Sequence, residues 1–200
     1  ILELNEEKIA TSGSVTDEIS RLRESASVQL CYTPVYAMQM NKLKVIFHNA
    51  RSLHAHFQDI SADKNFLHCD IVSFAETRLN SRDSDQEFSM ENYMEPFRND
   101  QVQDNVESGR PYHGLLSLVK DTHMVYDVQY FSSALLEFTY IKTGSMSFPI
   151  QIISLYRSSV LSLEAFKLLL KQKLMPMIEI TMPLIIMGDF NIDISGDNHS

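Results

Sequence analysis

Pro183-Leu184-Ile185-Ile186-Met187-Gly188-Asp189-Phe190-Asn191 is the stretch on which the reading of this chain turns. A proline precedes a short run of branched and long apolar residues, which reads as a buried strand. Gly188 lets the backbone turn tightly where that strand would leave its sheet. Asp189 and Asn191 then stand two apart at the strand's carboxyl end, where open α/β sheets collect ligands. Gly-Asp-x-Asn alone also makes ordinary turns, so its weight depends on the chain before it.

Working backwards, strands are expected over 43–48 (LKVIFH), 70–75 (DIVSFA), 114–119 (GLLSLV), 123–130, 135–142 and 149–156 (PIQIISLY). Residues 52–67 show a helical stripe through Leu53, Phe57, Ile60 and Phe66-Leu67, with an interruption allowed for. Residues 162–174 give the best helix, with Ser162 as N-cap and Leu163, Phe166, Leu169, Leu170 and Leu174 on one side. Two helices among many strands predict a mixed α/β domain that is not a simple βαβ repeat. Residues 1–40 read differently, as a linker or the edge of an upstream domain, which leaves 41–200 for the domain. Between Asp83 and Glu107 eight acids face one arginine, Arg98, so most of that stretch reads as a solvated loop.

Composition narrows the possibilities. The 200 residues are 44% hydrophobic, enough for a sizeable core and too apolar for a disordered chain. No run approaches the roughly 20 apolar residues of a membrane helix. Two cysteines make no disulfide framework, and an intracellular, reducing home is the default. The net charge of −9 argues against a basic coat that binds nucleic acid irrespective of sequence, but an acidic metal site with a local basic rim is compatible with it. The chain starts with Ile rather than Met, as expected of a piece of a longer product.

Three of the expected strands end alike. One ends at Asn49, one at Glu76 and one at Gly188-Asp189-Phe190-Asn191. If these strands are neighbours, Asn49, Glu76 and Asp189 meet at one rim. Carboxylate and amide oxygens suit the hard cations Mg²⁺ or Mn²⁺ rather than zinc. Such an ion would neutralise a phosphate, Asp189 would orient or deprotonate a water, and Asn191 would position Asp189 and donate to a phosphoryl oxygen. Tyr156 also ends a strand, so its hydroxyl can reach the same place. His54, His56, His68 and Cys69 fit no zinc signature. His113 reads as a surface-loop residue, with an approach to the substrate as the alternative.

The ordered set Asn49-Ala50-Arg51-Ser52-Leu53, Ala75-Glu76-Thr77-Arg78-Leu79, Leu155-Tyr156-Arg157-Ser158 and Gly188-Asp189-Phe190-Asn191 resembles the endonuclease/exonuclease/phosphatase superfamily. It looks most like the endonucleases of non-LTR retrotransposons and the related domains behind helicases in rolling-circle transposons, over about residues 43–194. The resemblance implies a sandwich of two mostly antiparallel sheets flanked by helices, and metal-dependent cleavage of phosphodiesters. It implies Asn49 and Glu76 as metal-site residues, Asp189, Asn191 and Tyr156 as catalytic residues, and Arg51 and Arg78 as phosphate binders. It also implies Mg²⁺ or Mn²⁺ as cofactor, DNA as partner, a helicase or reverse transcriptase in the same polyprotein, and a nuclear home. The chain departs from the pattern in having His113-Gly114 for Gly-Gly, and Ser158-Ser159 where prolines often follow the tyrosine. The family's further Asp and its Ser-Asp-His motif have no counterpart, since Asp197 and His199 follow Asn191 too closely. A C-terminally incomplete domain is therefore expected, and a catalytically dead remnant, an RNA nuclease and a phosphoinositide phosphatase stand as alternatives.

Overall fold

Alternation along two strands organises the molecule. In β2 (Ile71–Ala75) and β7 (Phe148–Arg157) every residue from Ile71 to Ala75 and from Gln151 to Arg157 is buried, so both faces of each strand meet protein. Ile71 and Ile152 look into one apolar layer together with Val119 and Ile141. Val72 and Phe74 look the other way, onto Leu53, Phe57, Ile60 and Phe66. Ile153 and Leu155 likewise face Phe166 and Leu174. These three apolar layers make a sandwich of two sheets with helices on its outer faces.

The computed structural model describes residues 42–100, 113–145 and 148–192. The first sheet has the order β1-β2-β4-β3, with β1 at Val45–Asn49, β3 at Phe97–Asn99 and β4 at Leu115–Val119. The second has the order β5-β6-β7-β8, with β5 at Met124–Ser132, β6 at Leu136–Ser145 and β8 at Leu184–Asp189. Each sheet contains one parallel pair, β1 with β2 and β7 with β8, and is otherwise antiparallel. Each parallel pair is joined through helix, as parallel strands require. α1 (Leu53–Ala62) and α2 (Lys64–Leu67) connect β1 to β2, and α3 (Leu163–Leu169) lies between β7 and β8. The two-sheet α/β sandwich expected from the sequence is the observed fold.

Several local details have identifiable causes, the interruption allowed for in the first helix among them. The first helix breaks at Asp63, whose extended backbone ends α1 and whose carboxylate accepts the Asn65 N–H at 2.8 Å to start α2. The helix after Ser162 keeps α geometry only to Leu169, then widens into a π turn over Leu170–Leu174 and a 3₁₀ turn over Met175–Met177. Pro176 lacks an N–H, and its ring would collide with the carbonyl four residues back in a continuing α-helix. The acidic stretch is not all loop, because it contains β3 and a 3₁₀ turn at Asp85–Phe88 that buries Phe88. Arg98 organises it, reaching Asp85 at 2.7 Å and Asp100 at 2.5 Å. β8 is an edge strand with a half-buried pattern rather than a buried one, and Ile186 is 39% exposed. Residues 1–40, with Asp197 and His199, lie outside the described residues. No helix among the described residues is long and apolar enough to cross a membrane.

At mid-sandwich the sheets are also tied by hydroxyls. Ser154 Oγ lies 2.8 Å from Ser73 Oγ, which lies 2.8 Å from Ser117 Oγ. All three are buried and satisfy one another, so little is lost by their polarity.

Candidate active site

The strand period places polar groups at one end of the inner layer. Along β1, Val45 and Phe47 pack inward, so Asn49 follows them two residues on. Along β8, Ile185 and Met187 pack inward and Asp189 follows in the same way. Glu76 comes one residue after Ala75, the inward end of β2. Asn49 Nδ2 donates to Glu76 Oε1 at 2.9 Å and to Asp189 Oδ2 at 2.9 Å. The structure thus brings Asn49, Glu76 and Asp189 together. Only two of the three strands are neighbours in one sheet. β1 and β2 are parallel neighbours, and β8 approaches from the opposite sheet.

Gly188 has a different task from the one its sequence suggests. It lies inside β8, paired with Leu155. A Cβ there would fall against the Leu155 carbonyl, 2.9 Å from its carbon. The missing side chain permits close approach of β8 to β7, which sets the depth at which Asp189 enters the site.

The loops at this end are bent in a costly way. Arg51, Glu76, Arg78 and Asn191 have φ of 52°, 50°, 59° and 47°, the left-handed region that side-chain-bearing residues avoid at about 1–3 kcal/mol each. Two of these bends share one device. The Arg51 N–H donates to Asn49 Oδ1 at 3.1 Å, and the Asn191 N–H to Asp189 Oδ1 at 3.1 Å. In each a strand-end side chain accepts from the amide two residues on. Strain concentrated on the loops that carry the polar corner is a mark of a functional site.

Tyr156 lies at the carboxyl end of β7, only 7% exposed, packed with Ala75 and Leu115. Burial pushes its phenol up to about 12, and Glu76, Asp189 and Glu137 push the same way against a hydrogen bond with the Asn191 side chain. It therefore keeps its proton at neutral pH, and its oxygen meets the Asn191 side chain. Asn191 Nδ2 donates to the Arg157 carbonyl at 2.7 Å. Arg51 is exposed and lines an open pocket of 570 Å³ with His48, Asn49, Ala50, His56 and Asp189. Burial, then His56, lowers the pKa of His48 in that pocket. Arg78 is half-buried, and its Nε is buried without a hydrogen-bond partner.

The sequence singles out neither Arg157 nor Glu137, and for His113 it leaves two readings open. His113 lies outside strand and helix just before β4 and is half-buried. Its ring packs 4.8 Å from that of Tyr156, and burial lowers its pKa against the pull of Glu76. Arg157, 4% exposed, donates Nη1 to the carbonyls of Phe190 and Asn191 at 2.9 and 3.0 Å and Nη2 to that of Leu161, and its guanidinium lies 5.6 Å over the Phe166 ring. Glu137 is 1% exposed and stands opposite Tyr156 in the β6–β7 register. An acid inside the apolar strand LLEFTYIK was the available signal for Glu137, but only register shows what it faces. Of the other histidine candidates, His56 lines the pocket and two are used elsewhere. His54 pairs with Asp83 at 3.1 Å and packs on Phe88, and His68 lies against the Lys64 carbonyl.

No protein-family profile matches the chain, and no curated protein sequence does. Solved structures do. An endonuclease/exonuclease/phosphatase family protein from Bacteroides thetaiotaomicron superposes with a TM-score of 0.53 at 14% identity, over 78% of this chain and 66% of its own. The chain has the endonuclease/exonuclease/phosphatase fold. A mannosyl-6-phosphatase from the same organism matches with a TM-score of 0.54 at 14% identity, over 78% of this chain and 68% of its own. An AP endonuclease from Archaeoglobus fulgidus matches with a TM-score of 0.54 at 15% identity, over 76% and 58%. The chain thus spans roughly three-fifths to two-thirds of the length of these structures.

The donor set is of the kind a hard divalent cation takes. Two carboxylates accept from one amide group at 2.9 Å each, and carboxylate oxygens are the ligands that Mg²⁺ and Mn²⁺ prefer. Asn49 turns its nitrogen to both carboxylates and its oxygen to the Arg51 N–H. In this arrangement it gathers the carboxylates.

Proposed function

We propose that this chain is a metal-dependent phosphodiesterase domain of the endonuclease/exonuclease/phosphatase superfamily that nicks DNA. The observation that carries the reading is the convergence of Asn49, Glu76 and Asp189 beside the protonated Tyr156. Glu76, with Asn49 beside it, would hold Mg²⁺ or Mn²⁺. When bound, such an ion supplies positive charge that offsets the charge developing on the phosphate.

The chain's own groups divide the remaining work. Asp189, held by Asn49 and by the Asn191 amide, takes the proton from the attacking water. Asn191 fixes the orientation of Asp189 and contacts the Tyr156 hydroxyl. Tyr156 donates its O–H to a phosphoryl oxygen as negative charge accumulates there. Arg51, open to solvent at the pocket, and Arg78, two residues after Glu76 and half-buried, bind substrate phosphate as charge-assisted donors. The ordered motifs favour a mobile-element endonuclease acting in the nucleus beside a helicase or reverse transcriptase.

A plasmid-nicking assay with Mg²⁺ tests the reading. Wild type converts supercoiled to open-circular plasmid, and Asp189→Ala loses at least about a hundredfold of that rate. Equal nicking by the two proteins refutes it. Nicking of neither, with release of phosphate from a phosphomonoester or cleavage of RNA, moves the substrate to another branch of the same fold.

A second reading is favoured by the half-exposed edge strand β8: a catalytically silent domain that binds the cation and associates through exposed apolar surface. Calorimetry with Mg²⁺ and size-exclusion chromatography separate the two. A monomer that nicks excludes the silent domain.

A further inference from the structure

The loop that carries Glu76 takes its shape from a neighbour. The Thr77 N–H donates to the Gly114 carbonyl at 3.2 Å and the Arg78 N–H to the His113 carbonyl at 2.9 Å. Glu76 and Arg78, both at positive φ, are thus laid onto the His113–Gly114 backbone. Gly114 is itself at φ 104°, which only glycine adopts readily. Its N–H donates at 2.8 Å to Glu137 Oε2, and Ser132 Oγ lies 3.4 Å from Oε1 of the same carboxylate.

Glu137 is an odd residue to bury for packing alone. At 1% exposure a carboxyl loses its hydration, and an apolar side chain of the same shape would fill the space with less loss. What an apolar side chain lacks is an acceptor for the Gly114 N–H. An orphaned amide at that point would release the turn. The same turn sets the His113 ring against Tyr156.

We propose that Glu137 is a positioning residue for the Glu76 corner. By accepting the Gly114 N–H it fixes the His113–Gly114 backbone, and that backbone fixes Glu76-Thr77-Arg78 and the His113 ring. The functional consequence rests on the reading of Glu76 as a metal-site residue, whereas the structural consequence does not.

Amide hydrogen exchange by NMR on the full chain tests the relay. Glu137→Met fills the volume without an acceptor for the amide, and Glu137→Gln keeps one. The expected result is that Thr77 and Arg78 amides exchange about tenfold faster or more in Glu137→Met, while amides at mid-strand in β2 and β4 keep their protection. Glu137→Gln keeps Thr77 and Arg78 protected. Mn²⁺ titration followed by electron paramagnetic resonance gives the second readout, with affinity down about tenfold in Glu137→Met and restored in Glu137→Gln. Wild-type exchange at Thr77 and Arg78 in Glu137→Met, or protection lost evenly across β2 and β4, overturns the proposal. If Glu137→Met does not fold, loss of Thr77 and Arg78 protection in Glu137→Gln overturns it alone. A wild type that binds no Mn²⁺ counts against the metal reading of Glu76, and the exchange comparison still decides the role of Glu137.

Discussion

The Glu76 corner and the Asp189 corner are built alike and held differently. Each follows the second strand of a parallel pair, β1–β2 in one sheet and β7–β8 in the other. Each contains a residue in the left-handed region. The Asp189 loop is clamped directly, by the buried Arg157 guanidinium on the carbonyls of Phe190 and Asn191. The Glu76 loop is held at second hand, through backbone bonds to His113–Gly114 and from there to the buried Glu137. A base grips carbonyls on one side, and an acid grips an amide on the other. The difference follows from backbone polarity, since a guanidinium can only donate and a carboxylate accepts.

Breaking the clamp on the Asp189 side has the largest expected effect. Arg157→Ala removes charge-assisted bonds to three carbonyls and a ring contact, all made by a buried guanidinium. We expect a loss of about 4 kcal/mol, read from the urea midpoint. A loss under about 1 kcal/mol would mean that the loop holds its shape without Arg157.

The Glu137 side is expected to depend on pH, and the sign is set. Burial raises this carboxyl to about 7 from an ordinary value of 4.5, with Asp100 adding and the Gly114 and Ser132 hydrogen bonds opposing. The folded state holds the proton more tightly than the unfolded chain. The stabilisation is fully present below about pH 4.5 and is lost as pH rises through about 7. Its full size is about 3 kcal/mol. Between about pH 5 and 8 the wild type therefore loses stability relative to Glu137→Gln, which carries no such proton. Parallel pH–stability curves would show that Glu137 ionises as freely in the fold as out of it.

Gly188→Ala tests the depth of the Asp189 strand. A Cβ against the Leu155 backbone pushes β8 from β7 at a cost of about 2 kcal/mol by thermal unfolding. It also pulls Asp189 from Asn49, so nicking falls with stability. The smallest effect is expected where the two sheets share the serine cluster. Ser154→Ala removes one bond of a chain whose other members still satisfy each other, at a cost of about 1 kcal/mol in the same measurement.

Much of this was legible in the chain. β2 needs no structure to be read as a strand, because Ile71, Val72 and Phe74 sit in an apolar run of strand length. α1 is equally plain, because Leu53, Phe57 and Ile60 recur at helical spacing. Asn49, Glu76, Tyr156 and Asp189 stood out because each ends a strand. Glu137 and Arg157 did not, because an acid or a base inside a strand declares nothing until its cross-strand neighbours are known. β3 was hidden for a related reason. Its three residues include Arg98 and Asn99, and their burial comes from partners far away, the β4 strand and the carbonyls of Phe131 and Phe138.

Local patterning by itself determined the kinds of element, their order and the polar residue at each strand end, because side-chain periodicity and turn chemistry act over a few residues. Only the tertiary structure decided that Asn49 and Asp189 meet from opposite sheets, that Gly188 serves close approach rather than a turn, and that Glu137 and Arg157 brace the two loops. Those contacts join residues distant in the chain, and their geometry depends on strand register and on the spacing between sheets, neither of which a single strand carries.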